Sequence, residues 1–191
     1  MHKKNLTILL GALLGASLLV PVITYAEGSY VKLGVGQSRY SSDRSATATA
    51  YFLAYGMQID PSLDLEFGLI DFGRGKAEIT FEDQTGSASA RTRSLYAAGI
   101  GNIPLAPTLN LLGKLGLSVN SSSAVKVSQN LLDQDYSNSD GRTTNLRVLL
   151  GTGLSIQFSK EMAGSIEYTY FGTAAHGAKV SLFNAAMRYN F

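Results

Sequence analysis

The chain has no cysteine, only 4 prolines among 191 residues, and only 16% charged side chains. Without cysteine there is no disulfide, no thiolate zinc site and no lipid-modified N-terminal cysteine. Four prolines exclude a collagen-like or proline-rich spacer. An apolar content of 45% excludes disorder as the overall state. Histidine is scarce as well, with His2 and His176 the only two. Mean hydropathy is +0.08, too low for a bundle of membrane helices yet high for a soluble domain that carries 20 glycines.

The apolar residues are unevenly placed. Lys3 and Lys4 precede an almost wholly apolar stretch from Leu6 to Val20, Pro21 breaks it, and Thr24-Tyr25-Ala26 ends in a small residue before Glu27. A basic start, an apolar core and a small-residue exit describe a secretory signal peptide cleaved between Ala26 and Glu27. The apolar run falls short of the ~20 residues a spanning helix needs. The expected organisation is a signal peptide over 1–26 and one domain over 27–191. Cleavage removes Lys3 and Lys4 and no acid, so 14 basic side chains face 14 acidic ones and the net charge falls from +2 to zero. The pI near 8.8 therefore belongs to the precursor, and there is no clustered basic face to suggest nucleic-acid binding. Beyond residue 26 no apolar run is long enough for a helical span, so any crossing of a membrane must use strands.

Strands are what the pattern shows, because apolar residues alternate with small or polar ones at period two. Tyr51, Leu53, Tyr55, Met57 and Ile59 share one face, with Phe52, Ala54, Gly56 and Gln58 opposite. Leu146 to Phe158, Ile166 to Tyr170 and Phe183 to Phe191 alternate in the same way. Eight such stretches appear, at about 29–40, 47–59, 63–81, 88–104, 109–127, 143–158, 163–174 and 178–191. Short connections at Asp60-Pro61-Ser62, Ala106-Pro107-Thr108 and Ser159-Lys160-Glu161 alternate with polar and mostly longer ones, notably 128–142. This is the layout of an antiparallel up-and-down meander with both chain ends on the short-turn side. Leu65, Phe67 and Leu69 share a face that Phe72 breaks, and a bulge near Ile70 is expected to return Phe72 to it and turn Asp71 away.

Size decides which face is inside. The interior of an eight-stranded barrel is only just wide enough for side chains to fill, and the Tyr, Phe, Leu and Met face is too bulky for it. The opposite face is small, with Gly34, Gly36, Ala54, Gly56, Gly68, Ala97, Gly99, Gly101, Gly116, Gly151 and Gly153. Small residues mixed with charges suit a cramped polar lumen. Large apolar residues suit lipid, with Tyr55, Tyr168, Tyr170, Tyr189 and Phe191 in the interfacial girdles. The expected fold is an all-β, eight-stranded antiparallel transmembrane β-barrel.

By alternation Lys32, Glu66, Arg93, Lys114, Arg147, Glu167 and Arg188 all point into the lumen. Unpaired charge there is costly, so these side chains must pair across strands and lock the interior. The rival reading is a gated pore opened by rearranging the pairs. A catalytic role finds little support: His176 stands in a loop, and the lipid A deacylase pattern of a Ser two residues after the His meets Ala178. Asp133, Asp135 and Asp140 lack the glycine and glutamate of a calcium loop, so no metal site or cofactor is expected. Asn120-Ser121-Ser122 matches a glycosylation sequon, a pattern common by chance.

The segments Val31-Lys32-Leu33-Gly34, Leu65-Glu66-Phe67-Gly68, Gly113-Lys114-Leu115-Gly116, Ile166-Glu167-Tyr168 and Met187-Arg188-Tyr189-Asn190-Phe191 stand in this order along the chain. With them the domain resembles the transmembrane domain of the outer membrane protein A family over nearly its whole length. The resemblance implies an internal polar network at the matching Lys and Glu positions. A family lysine of the fourth strand falls at Gly99, which implies different ion-pair wiring. It also implies that Met187, Tyr189 and Phe191 form the C-terminal signal read by the barrel-assembly machinery of Gram-negative bacteria. No peptidoglycan-binding domain is expected after Phe191.

Together these features predict a monomeric, non-enzymatic barrel of the bacterial outer membrane with a structural or surface-interaction role. A small porin or gated channel is the first alternative and a lipid-modifying enzyme the second. The expected partners are outer-membrane lipid and lipopolysaccharide, the assembly machinery, and an extracellular ligand at the loops, with no nucleic acid.

Overall fold

The computed structural model describes residues 28–41, 45–81, 84–123, 126–129, 143–173 and 178–191. The candidate cleavage site at Ala26 and Glu27, residues 130–142 with the spaced aspartates, and His176 lie outside the described residues.

Nine strands make one antiparallel sheet among the described residues: β1 (Ser29–Ser41), β2 (Ser45–Asp60), β3 (Leu63–Phe81), β4 (Gln84–Ala106), β5 (Leu109–Ser122), β6 (Lys126–Gln129), β7 (Thr143–Gln157), β8 (Met162–Thr173) and β9 (Lys179–Asn190). Eight of them pair in chain order and β9 returns to β1, from Tyr30↔Asn190 to Ser41↔Lys179, so these eight close into a barrel. The stretch expected as one strand over 109–127 is divided. β5 pairs with the lower part of β4, and short β6 pairs with its far end at Gly86 to Ser89.

The three short connections lie at the end that also holds Ser29 and Phe191, where the Phe191 N–H donates to the Ser29 carbonyl at 2.9 Å. In the first of these turns the Ser62 hydroxyl and N–H donate to Asp60 at 2.7 Å, which holds this exposed carboxyl below its ordinary value.

Large apolar side chains point outward around the wall, among them Leu33, Leu53, Phe67, Leu95, Leu115, Val148, Ile166 and Phe183, all 43–61% exposed. No helix among the described residues is long and apolar enough to cross a membrane. The outward apolar residues of the strands form the lipid-facing band, about 25 Å tall in barrels of this kind.

The interior is more apolar than its small residues suggest. Phe52, Ile70, Phe72, Leu149, Phe171, Val180 and Leu182 fill the loop-side half of the lumen. Phe171 packs edge-on to Phe72 at 5.1 Å and to Tyr96 at 6.1 Å between ring centres. Phe72 thus stays inside, fully buried, and Asp71 turns outward, opposite to the expectation of a bulge near Ile70. The register irregularity lies between Asp71 and Arg74, at Gly73 with φ +75°, and its extra residue turns Arg74 outward.

The phase of β4 also differs from the expectation. Glu66 is in the lumen and pairs with Ala98; directly paired residues share a face, so Tyr96, Ala98 and Ile100 point in. Ala97, Gly99 and Gly101, and Arg93 with them, point out.

Candidate functional site: a closed charge ring in the lumen

Lys32, Glu66, Lys114 and Glu167 stand on β1, β3, β5 and β8, every second strand around the barrel. In a closed barrel, residues of one level come from alternate strands, so these four form a single layer with alternating charge. Lys32 Nζ contacts Glu66 Oε2 at 3.4 Å and also pairs with Glu167 Oε1. Lys114 Nζ contacts Glu66 Oε1 at 2.9 Å and Glu167 Oε2 at 3.0 Å. Each charge touches two of opposite sign, and the ring is neutral.

All four are buried, Glu66 completely. Buried ions keep their charge only when fully paired and hydrogen-bonded, and hydroxyl donors complete the pairing. Tyr30 donates to Glu66 Oε2 at 3.1 Å and Tyr96 to Oε1 at 2.7 Å, while Ser165 donates to Glu167 Oε1 at 2.7 Å. Lys114 also lies 5.4 Å from the Tyr96 ring centre.

Small residues on neighbouring strands make this possible. The Tyr30 ring lies across Gly56 and the Tyr96 ring across Gly68; a Cβ at those glycines would stand 2.0 Å and 2.4 Å from the rings. A Cβ at Gly153 would meet Glu167 Cγ at 2.7 Å.

A second pair lies nearer the short turns. Arg188 Nη1 donates to Asp64 Oδ2 at 2.6 Å, its Nε donates to Asn190 at 2.6 Å, and its guanidinium stacks 3.5 Å over the Tyr30 ring. Below it opens a vestibule of about 850 Å³, lined by residues that include Asp64, Asn102, Asn110, Glu161, Arg188 and Asn190. Between this pair and the ring remains a cavity of about 20 Å³, the size of one water molecule. From the turn end the lumen therefore runs from open vestibule to Arg188–Asp64 pair, then to the charge ring, then to the aromatic plug.

Of the seven charged residues placed inward by alternation, four meet in the ring and Arg188 forms its own pair. Arg93 is on the outer wall, bonded to Asp71 at 3.2 Å, because β4 runs in the other phase. Arg147 has lumen phase but sits at the loop-side rim, exposed, where its Nε donates to Thr173 Oγ1 at 2.7 Å. Alternation and charge do not mark Asp64, Tyr30 or Tyr96 as members in the sequence. Asn120 of the sequon is buried and donates to the Phe171 carbonyl at 2.8 Å, which leaves no room for a glycan. Met187, Tyr189 and Phe191 are exposed on the outer wall, the last two stacked with ring centres 6.5 Å apart. Among the described residues no group of His, Cys, Asp and Glu is placed to hold a metal ion.

Comparison with known proteins agrees with this architecture. The model of the outer membrane protein beta-barrel domain family matches residues 8–191. Neisserial surface protein A is similar in structure, with a TM-score of 0.60 at 18% identity, over 85% of this chain and 97% of that one. Ail, the attachment invasion locus protein of Yersinia pestis, gives 0.57 at 15% identity over 86% and 99%. OprG of Pseudomonas aeruginosa gives 0.57 at 12% over 87% and 97%. No curated protein sequence matches the chain.

Proposed function

The chain belongs to the outer membrane protein beta-barrel domain family, and from that premise we propose that it is a non-conducting structural barrel that holds its loop-side strand ends at the bacterial surface. The observation that carries this reading is the closed ring of Lys32, Glu66, Lys114 and Glu167 beneath the Phe72–Phe171 plug. An ion crossing the lumen has to separate four mutually paired buried charges and then pass an apolar layer. Each step is opposed by several kcal/mol of desolvation.

In this reading the domain follows a cleaved signal peptide, inserts through the assembly machinery by way of Met187, Tyr189 and Phe191, and performs no catalysis. Its loops are the surface offered to extracellular partners. Refolded protein in planar bilayers tests the proposal: the expected record has no discrete conductance steps. Regular steps from the unmodified protein would instead favour a small channel, for which the 850 Å³ vestibule is the natural mouth.

A further inference from the structure

The outer wall carries a cluster of charge that the lumen does not use. Asp71 on β3 pairs in register with Arg93 on β4, and Arg74, just past the bulge, pairs with Arg91. All four side chains lie on the lipid side of the wall. Arg91 grips both oxygens of Asp71, by Nε to Oδ1 at 3.0 Å and by Nη2 to Oδ2. Arg93 Nε adds a bond to Oδ2 at 3.2 Å, and the Gly73 N–H donates to Oδ1 at 3.0 Å. One carboxylate thus orients two guanidiniums, while a third faces Arg91 directly across the strand pair. Like charges directly opposed are unfavourable in a sheet, and the bulge at Gly73 is what puts Arg74 there. Arg91 and Arg93 are 46% and 62% exposed, so their remaining N–H donors face outward.

One register step toward the membrane centre lie Leu69, Leu95 and Val119, side by side and exposed. A positive cluster fixed directly above an aliphatic surface matches an amphiphile with an anionic head and acyl chains. Planar guanidiniums with unused parallel donors suit phosphate oxygens. We propose that Arg74, Arg91 and Arg93 bind a phosphate group of outer-leaflet lipopolysaccharide, with its acyl chains on Leu69, Leu95 and Val119. The proposal goes beyond the structural reading above and is independent of whether the lumen conducts.

The test uses the refolded protein in phosphatidylcholine vesicles, with thermal unfolding followed by the heat-dependent gel shift. Lipopolysaccharide is expected to raise the midpoint, and lipopolysaccharide stripped of its lipid phosphates to raise it far less. Arg91→Ala/Arg93→Ala is expected to weaken apparent binding at least tenfold. Arg39→Ala/Lys179→Ala, which removes the same charge from the β1–β9 side of the rim, should keep it. Should the double arginine variant fold poorly, Arg93→Ala alone is expected to give a smaller loss in the same direction. The proposal is overturned if the arginine variants bind like the unmodified protein, if both double variants lose binding equally, or if inorganic phosphate stabilises as well as the lipid does.

Discussion

Gly56 stands in register between Tyr30 and Glu66: it pairs with Tyr30 on one side and with Glu66 on the other. The tyrosine ring crosses the space where a Cβ would be and delivers its hydroxyl to the carboxylate at 3.1 Å. The glycine is therefore a seat for a ring, and the ring is a donor to a buried ion. Tyr96 repeats the device over Gly68 from the opposite side.

Gly56→Ala is accordingly expected to destabilise the barrel by about 2–4 kcal/mol, from overpacking and a displaced hydrogen bond to a charged acceptor. Gly113→Ala is the control. Gly113 faces outward with nothing within 4 Å of its missing Cβ, so the added methyl should stabilise by ~0.5–1 kcal/mol. Urea titration of both variants in lipid vesicles separates the two signs, and equal effects would contradict the seating role.

Glu66→Gln keeps the shape of the side chain and removes its charge, which leaves Lys32 and Lys114 sharing Glu167 alone. Breaking a buried pair from one side costs about 3–5 kcal/mol. Tyr96→Phe, which deletes only one donor to the same carboxylate, should cost about 1.5–3 kcal/mol. The ordering Glu66→Gln above Tyr96→Phe in unfolding free energy is the measurable outcome. A Glu66→Gln cost below that of Tyr96→Phe would mean that the ring is not the main polar determinant of the interior.

The ring was legible in the sequence because Lys32, Glu66 and Glu167 each sit between large apolar residues, and Lys114 stands between Gly113 and the run Leu115, Leu117, Val119, which settles their phase. In β4 the contrast misleads. In Tyr96-Ala97-Ala98-Gly99-Ile100-Gly101 the small residues Ala97, Gly99 and Gly101 share one face and Tyr96 and Ile100 the other, and only pairing with Glu66 on β3 puts the bulkier face inside. Alternation read from the small residues puts Arg93 inside with them, and the pairing with β3 puts it outside. The bulge expected near Ile70 is absent: an inward aromatic such as Phe72 looks like a break in phase unless an apolar layer of the lumen is anticipated, and the irregularity at Gly73 acts on Arg74, not on Phe72. Asp64, beside the Asp60-Pro61-Ser62 turn, carries no local signal of its role, because its partner Arg188 is 124 residues away and joins it only on barrel closure.

Phe171→Ala separates the two barriers in the lumen. Its ring contacts both Phe72 and Tyr96, so truncation should cost about 3–5 kcal/mol. The charge ring lies beneath it and keeps its own partners, so planar-bilayer recordings should remain without conductance steps. Steps from Phe171→Ala alone would assign the seal to the aromatic plug and not to the paired charges.

Removal of Phe191 distinguishes assembly from stability. In the folded barrel this residue contributes one backbone bond to Ser29 and an exposed ring near Tyr55 and Tyr189, 6.4 Å and 6.5 Å between centres. Loss of one exposed terminal bond costs only about 0.5–1.5 kcal/mol, too little to unfold a closed sheet of eight strands. The truncated protein should therefore refold in detergent and keep its heat-dependent gel shift, while insertion into the outer membrane of cells falls sharply. Failure in both settings would make Phe191 a structural residue, and success in both would remove it from the assembly signal. Only the split outcome, folding without insertion, fits a residue whose exposed ring is read by another protein.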